Sequence, residues 1–178
     1  MSYKNLMTSE YQDWSTPQTL VDWIQYRFDV KFDLDVCASS STAKCVNFYT
    51  VEDDAFTKIW GGNIWCNPPY NEQQRWINRS ISMIKMNWAS SVYCLIPART
   101  DTKLFHDVIM RHAHAVYFIK GRVNFDRPGR ASNTGSTHPS MLVIFQGKQK
   151  RGNKRIRRRR GSVLRCLDVP SAARRGKA

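Results

Sequence analysis

No two cysteines of this chain have C-x-x-C spacing. Cys37, Cys45, Cys66, Cys94 and Cys166 are odd in number and scattered, which argues against both a zinc site and a disulfide framework. Several lie in apolar runs such as Trp65-Cys66 and Tyr93-Cys94-Leu95, where a free thiol serves as a small buried hydrophobe. His106, His112, His114 and His138 form no recognisable ligand set either, so no metal is expected. No apolar run approaches the ~20 residues that span a bilayer. Met1 to Glu10 lacks the basic-then-apolar layout of a secretory signal, and no internal repeat is visible. A soluble, intracellular protein of ordinary globular composition is the expectation, with 42% hydrophobic and 12% aromatic residues among 178. That length suits one domain with a single sizeable core.

Acidic residues are scarce where basic ones crowd. The net charge is +14, but residues 1–147 carry 15 Lys and Arg against 13 acids, whereas residues 148–178 carry 13 against Asp168 alone. The run Lys148 to Arg160, KQKRGNKRIRRRR, cannot collapse on itself and reads as solvated. Such a run holds polyanions without sequence preference, or is an extension with only weak adhesion to nucleic acid. The expected organisation is a folded domain over 1–147 and a basic, disordered tail over 148–178.

Within the body, helical and strand patterns alternate. Thr16 reads as an N-cap and Pro17 as the first helical position, with Leu20, Val21, Ile24 and Phe28 at helical spacing. Residues 31–37 alternate apolar and polar as a strand and end in Ala38-Ser39-Ser40-Ser41. A short strand is expected over Val46–Thr50, then the acidic turn Glu52-Asp53-Asp54. Asn63–Cys66 is a third strand, and Ile77, Ile81, Ile84 and Trp88 mark an amphipathic helix after it. Ser91–Ile96 is a fully apolar strand, followed by a helix capped by Asp101 with Leu104, Phe105, Val108 and Ile109 on one face. Ala115–Ile119, Arg122–Phe125 and Met141–Phe145 complete the strands. The pattern predicts an α/β fold with a mostly parallel sheet, helices on both faces, and an antiparallel edge. The polar stretch Asp126 to Pro139 is the one long loop of the body.

The third strand runs directly into Asn67-Pro68-Pro69-Tyr70. The amino group of adenine is a poor nucleophile because its lone pair is delocalised into the ring. Two acceptors aimed at its N–H groups make that pair available, and an Asn carbonyl with a backbone carbonyl are suitable ones. Each residue before a proline is pushed into an extended conformation, which frees its carbonyl from helical donors. The fixed φ of proline stiffens the turn, as a preorganised polar site requires. Tyr70 offers a flat face for a stacked base. A strand end is where open α/β sheets bind ligands. The plainer alternative is a strand-to-helix turn with no chemistry, but four specified residues between an apolar strand and an amphipathic helix are a specific signal.

Asn67-Pro68-Pro69-Tyr70 resembles the [D/N]-P-P-[Y/F/W] signature of amino-group methyltransferases. The wider pattern is similar to the phage-type, Dam-like DNA adenine methyltransferases: Trp14-x-Thr16-Pro17, Leu34-Asp35-Val36-Cys37-Ala38-Ser39, Ala43-Lys44-Cys45, Glu52-Asp53-Asp54-Ala55, Trp60-x-Gly62, Leu95 through Thr102, and Gly121-Arg122-Val123-x-Phe125. These pieces cover about residues 11–146 and stop short of the basic run. The resemblance implies a class I (Rossmann-like) methyltransferase sheet that binds S-adenosyl-L-methionine beside the Asn67 turn. It implies double-stranded DNA as the partner, a GATC-type target, and the cytoplasm of a bacterial or phage-infected cell. It implies cofactor contacts from Thr16, Pro17, Asp35, Cys37, Ala38, Ser39, Asp53 and Asp54, with either acid of the last pair at the adenosine end. Where the family usually carries a glycine-rich F-x-G-x-G, this chain has Val36-Cys37-Ala38-Ser39-Ser40.

The implied reaction takes an adenine swung out of the duplex, with Asn67 and the Pro68 carbonyl on its amino group and Tyr70 on its ring. No metal and no covalent enzyme intermediate are needed. Arg99, Thr102, Arg122, Arg127 and Arg130 are candidate DNA contacts, each equally readable as solvated surface. A methyltransferase acting on RNA or on a protein amide, and a non-catalytic nucleic-acid-binding protein on the same scaffold, are the competing readings.

Overall fold

The computed structural model describes residues 15–126, 138–147 and 163–174. Its centre is one six-stranded sheet: β1 (Leu34–Asp35), β2 (Gly62–Cys66), β3 (Ala89–Pro97), β4 (Ala115–Ile119), β5 (Ser140–Gln146) and β6 (Val163–Leu167). The spatial order is β1-β2-β3-β5-β4-β6. β1, β2 and β3 are parallel, β5 is antiparallel to both β3 and β4, and β6 is parallel to β4. Five strands therefore point one way. The antiparallel strand is slotted into the sheet interior, not placed at its edge as the sequence led us to expect.

Alternation along the strands builds two cores. Ile64, Cys66, Val92, Cys94, Ile96, Val143 and Phe145 face one side, and Trp65, Tyr93, Leu95, Leu142 and Ile144 the other, as the period of two along a strand requires. Three helices cover these faces: α1 (Gln18–Phe28), α2 (Gln73–Lys85), and α3, which starts as a π-helical stretch, Leu104–Ile109, and ends in the α-turn Met110–His112. Leu20, Val21 and Ile24 of α1 pack on the second face, and Ile77, Ile81, Phe105 and Ile109 of α2 and α3 on the first. Each such side chain stabilises the fold by about 1.5–3 kcal/mol.

Several local expectations shift. The N-cap of α1 is Pro17, whose carbonyl accepts from Leu20 N–H at 3.0 Å; Thr16 lies one residue outside. α2 ends before Trp88 because Asn87 turns left-handed (φ 57°) and Trp88 N–H returns to the Met83 carbonyl. Trp88 is exposed, and Trp76, Ser80 and Met83 complete the buried face. The helix after β3 is capped not by Asp101 but by Thr102, whose hydroxyl accepts from Phe105 N–H at 3.2 Å. Residues 46–50 form a single parallel bridge, Phe48 to Asp35, in place of a full strand. Arg122–Phe125 is not a strand: Gly121, at φ 84°, turns the chain off the β4 ladder, and Asp126 then pairs with Ser15.

The largest correction concerns the C-terminus. Residues 163–174 are not part of a solvated tail. They form β6 and a closing turn, with Leu167, Val169 and Ala173 buried in the second core. Thr19 Oγ1 of α1 donates to the Ala173 carbonyl at 3.1 Å, and Asn124 N–H to the Arg174 carbonyl at 3.0 Å. The basic run 148–160 lies outside the described residues. No helix among the described residues is long and apolar enough to cross a membrane.

Candidate active site

Parallel strands collect their C-terminal ends at one edge of the sheet. β2 enters that edge between β1 and β3, so the Asn67–Tyr70 turn has the β1 loop on one side and the β3 end on the other. Pro68 is buried and Pro69 and Tyr70 are exposed. The Pro69 carbonyl accepts from Glu72 N–H at 3.1 Å, and Gln73 Nε2 donates to the Tyr70 carbonyl at 3.0 Å. These two bonds lock the turn onto the start of α2. Asn67 is the exception to this satisfaction. Its Oδ1 is buried and has no hydrogen-bond partner. A buried acceptor left unpaired costs roughly 1–3 kcal/mol, a cost explained when a ligand supplies the donor.

On the β1 side, Asp35 is buried and turned inward. Its Oδ1 accepts from Cys37 N–H at 3.2 Å and its Oδ2 from Lys44 N–H at 3.1 Å. Burial pushes its pKa up to about 6 against the opposing pull of those two bonds and of the Lys44 charge. Both oxygens are thus engaged in shaping the 36–44 loop. Within it, Ser39 N–H donates to Thr42 Oγ1 at 2.8 Å and Ala38 N–H to the Tyr49 carbonyl at 3.1 Å. Burial first, then the charges of Asp35 and Glu72, push the Cys37 thiol up to about 12. Cys37 is therefore a neutral wall residue.

Thr16 is buried at the start of α1, and its hydroxyl is also without a hydrogen-bond partner. Pro17 beside it is buried. The acidic turn is built differently. Asp53 accepts from Thr50 N–H and Oγ1 at 2.9 and 3.0 Å, while Asp54, left-handed at φ 47°, accepts from Phe56 N–H at 3.1 Å. Asp54 thus caps a turn and no helix. Both acids are exposed, and the turn is tied to α2 through the Phe56–Trp76 ring contact at 4.5 Å.

On the β3 side lies a cleft of about 190 Å³ between the Asn67 turn and α3, lined by Tyr70, Gln73, Arg99, Thr102, Leu104 and Met141 among others. Two of the expected DNA contacts, Arg99 and Thr102, line it. Thr102 Oγ1 donates to the Arg99 carbonyl at 3.0 Å, holding the β3–α3 connection closed. Arg122 is exposed and follows β4 at the same sheet edge. Arg127 and Arg130 lie outside the described residues.

Three residues of this edge were given no site role by the sequence, although Lys44 lies in the Ala43-Lys44-Cys45 piece of the family pattern. Gln73 sits one position into α2 with nothing in its local pattern to mark it. Lys44 is half-buried, its ammonium pKa lowered by desolvation against the pull of Asp126, Asp35 and Asp22. His138 contacts both Tyr70 and Arg99, and a lone histidine before a strand carries no signal of that. Among the described residues no group of three or more His, Cys, Asp or Glu side chains could hold a metal.

Comparison with known proteins follows this geometry. A family model described as DNA N-6-adenine-methyltransferase (Dam) matches residues 4–164, a span that runs past the boundary expected at 147. A DNA N-6-adenine-methyltransferase of Haemophilus phage HP1 (strain HP1c1) is 30% identical over 155 residues, covering 86% of this chain and 89% of that protein. Among solved structures, one from Listeria monocytogenes assigned to the class I S-adenosylmethionine-dependent methyltransferases is 9% identical with a TM-score of 0.44. That match covers 84% of this chain, which spans about half, 54%, of the Listeria protein.

Proposed function

The chain belongs to the Dam family of DNA N-6-adenine-methyltransferases, and we propose that Asn67-Pro68-Pro69-Tyr70 is where it transfers a methyl group from S-adenosyl-L-methionine to adenine N6 in double-stranded DNA. The observation that carries this reading is the Asn67 carbonyl oxygen, buried and unpaired at the C-terminal end of β2. A buried acceptor with no partner in the protein is suited to receive an amino N–H.

The sheet order supports a separation of the two reactants. In this reading the cofactor would lie on the β1 side of the turn and the base on the β3 side, with Asn67 between. The Thr16 hydroxyl, one of five buried side-chain atoms without a hydrogen-bond partner among the described residues, fits a ligand lying against the start of α1. Thr16, Pro17 and the small residues Cys37, Ala38 and Ser39 would hold the cofactor, with Asp35 fixing their loop from behind. Asp53 and Asp54 would face its adenosine end. S-adenosylmethionine supplies an electrophilic methyl on a sulfonium. Everything else falls to the chain's own groups.

Asn67 Oδ1 and the Pro68 carbonyl accept from the adenine amino group and hold its lone pair in line, while Tyr70 stacks on the ring. The Cys37 thiol stays protonated and out of the chemistry. Arg99, Thr102, Arg122, Arg127 and Arg130 would grip the DNA backbone around the extruded base. Folded residues 163–174 would belong to the same catalytic domain, which the basic run 148–160 interrupts. Methyl transfer from labelled S-adenosylmethionine to duplex DNA, RNA and protein, with wild type and Asn67→Ala side by side, tests this reading. Transfer to duplex DNA that disappears in Asn67→Ala is the expected result. Undiminished transfer in the variant, or preference for RNA or protein, overturns it.

A further inference from the structure

His138 stands where the sheet topology makes an otherwise unmarked residue a neighbour of the catalytic turn. Because β5 runs antiparallel to β3, its start lies over the end of β3: Ser140 is in register with Pro97, and Ala98 N–H donates to the Pro139 carbonyl at 2.8 Å. This carries His138 to the mouth of the cleft between the Asn67 turn and α3. There its ring meets the Tyr70 ring edge to face, with centroids 6.2 Å apart and planes at 84°. Its Nε2 lies 3.4 Å from Nη2 of Arg99. A guanidinium only donates, so this contact needs Nε2 as acceptor and the ring proton on Nδ1. Tyr70 belongs to the wall formed by the turn and Arg99 to the wall formed by β3 and α3. One imidazole therefore touches a residue of each wall.

We propose that His138 is a positioning residue of the base-binding cleft, holding the Tyr70 ring by its edge and the Arg99 guanidinium by its Nε2. The inference rests on the reading of Tyr70 as the stacking face. The ring contact sets the tilt at which a base meets Tyr70, and the Nε2 contact sets where Arg99 presents its charge to the DNA backbone. Different atoms carry the two functions, so different replacements separate them. His138→Phe keeps a ring edge for Tyr70 and loses the acceptor. His138→Gln keeps an acceptor within reach of Arg99 and loses the ring.

The test is steady-state methylation of unmethylated plasmid DNA by wild type, H138A, H138F and H138Q, with thermal midpoints measured alongside. H138A is expected to lower kcat and raise KM for the plasmid, each by about tenfold, the scale on which small misplacements act. H138F should recover kcat but not KM, and H138Q should recover KM but not kcat, with all midpoints near wild type. H138A matching wild type in both constants, or all three variants failing alike in step with a lowered midpoint, overturns the inference. With Asn67→Ala as the inactive control, an unaffected H138A defeats this inference alone. An inactive wild type defeats the reading beneath it, and the inference with it.

Discussion

Gln73 Nε2 donates to the carbonyl of Tyr70 at 3.0 Å, across the junction between the Asn67–Tyr70 turn and α2. Gln73 is buried while Tyr70 is exposed, and the bond between them fixes how Tyr70 leaves the turn. Gln73→Leu preserves most of the volume and removes the donor. A neutral hydrogen bond contributes about 1 kcal/mol, so a small loss of stability is expected. The larger effect should be on rate, about tenfold in kcat, because the stacking face is no longer held. Single-turnover methylation measures this directly. An unchanged rate would mean that the turn is stiff enough through its prolines alone.

Tyr70 itself is expected to act through its face and not its hydroxyl. Stacking of a base on an aromatic ring contributes roughly 1–3 kcal/mol, so Tyr70→Ala should cost about 10- to 100-fold in kcat/KM for duplex DNA. Tyr70→Phe should stay within a few-fold of wild type. Equal losses in both variants would assign the role to the phenol oxygen instead.

Asp35 predicts a pH dependence of unusual sign. Burial raises its folded pKa from 3.8 to about 6, so between those values the folded state binds more protons than the unfolded chain. The contribution of this group to stability is then largest below about pH 4, declines as pH rises, and is gone above about pH 6. Going from pH 5 to pH 7 should cost the wild type about 1 kcal/mol through this group. Asp35→Asn removes that slope. It also replaces the acceptor of Lys44 N–H, at a pH-independent cost of about 1–3 kcal/mol. Denaturant midpoints for both proteins at pH 5 and 7 decide the point, and parallel shifts would refute it.

The secondary elements with strong local patterns were legible from sequence: Ile77 and Ile81 for α2, Ser91–Ile96 for β3, and the Asn67 turn between β2 and α2. Features set by distant partners were not. Trp88 continues the helical spacing of α2, yet left-handed Asn87 ends the helix first. Asp101 reads as a cap, but the Thr102 hydroxyl is the group that accepts from Phe105 N–H. β6 follows directly on a run of arginines, whose composition masks a five-residue strand stabilised by pairing with β4. That Asp35 also shapes the 36–44 loop, by accepting from Cys37 and Lys44 N–H, is not legible because nothing local reveals those partners. His138 depends on β5 lying between β3 and β4, an order that no local signal encodes.

Residues 163–174 and the basic run 148–160 are expected to separate cleanly under mutation. Truncation after Ser162 removes β6 and the bonds from Thr19 and Asn124, and uncovers the Leu167, Val169 and Ala173 sites of the second core. The burial lost is worth several kcal/mol at about 25 cal/mol per Å², so a large fall in thermal midpoint is expected. Replacing Arg157 to Arg160 by glutamine should leave the midpoint alone and reduce the salt dependence of DNA binding by up to about four charges' worth of slope. Melting curves and a binding titration across salt concentrations check both halves. A truncated protein as stable as wild type would show that β6 contributes nothing to the fold.

In the proposed reaction the unpaired carbonyl oxygen of Asn67 is the acceptor that readies adenine N6 for methylation. The most direct measurement of this role is a map of N6-methyladenine in the DNA of a methylation-free bacterial host expressing either wild type or Asn67→Ala, with circular dichroism establishing that both are folded. Methyladenine at a recurring sequence in the wild-type cells and none in the variant is the predicted result. The same methylation in both, or none in the wild-type cells, would contradict it.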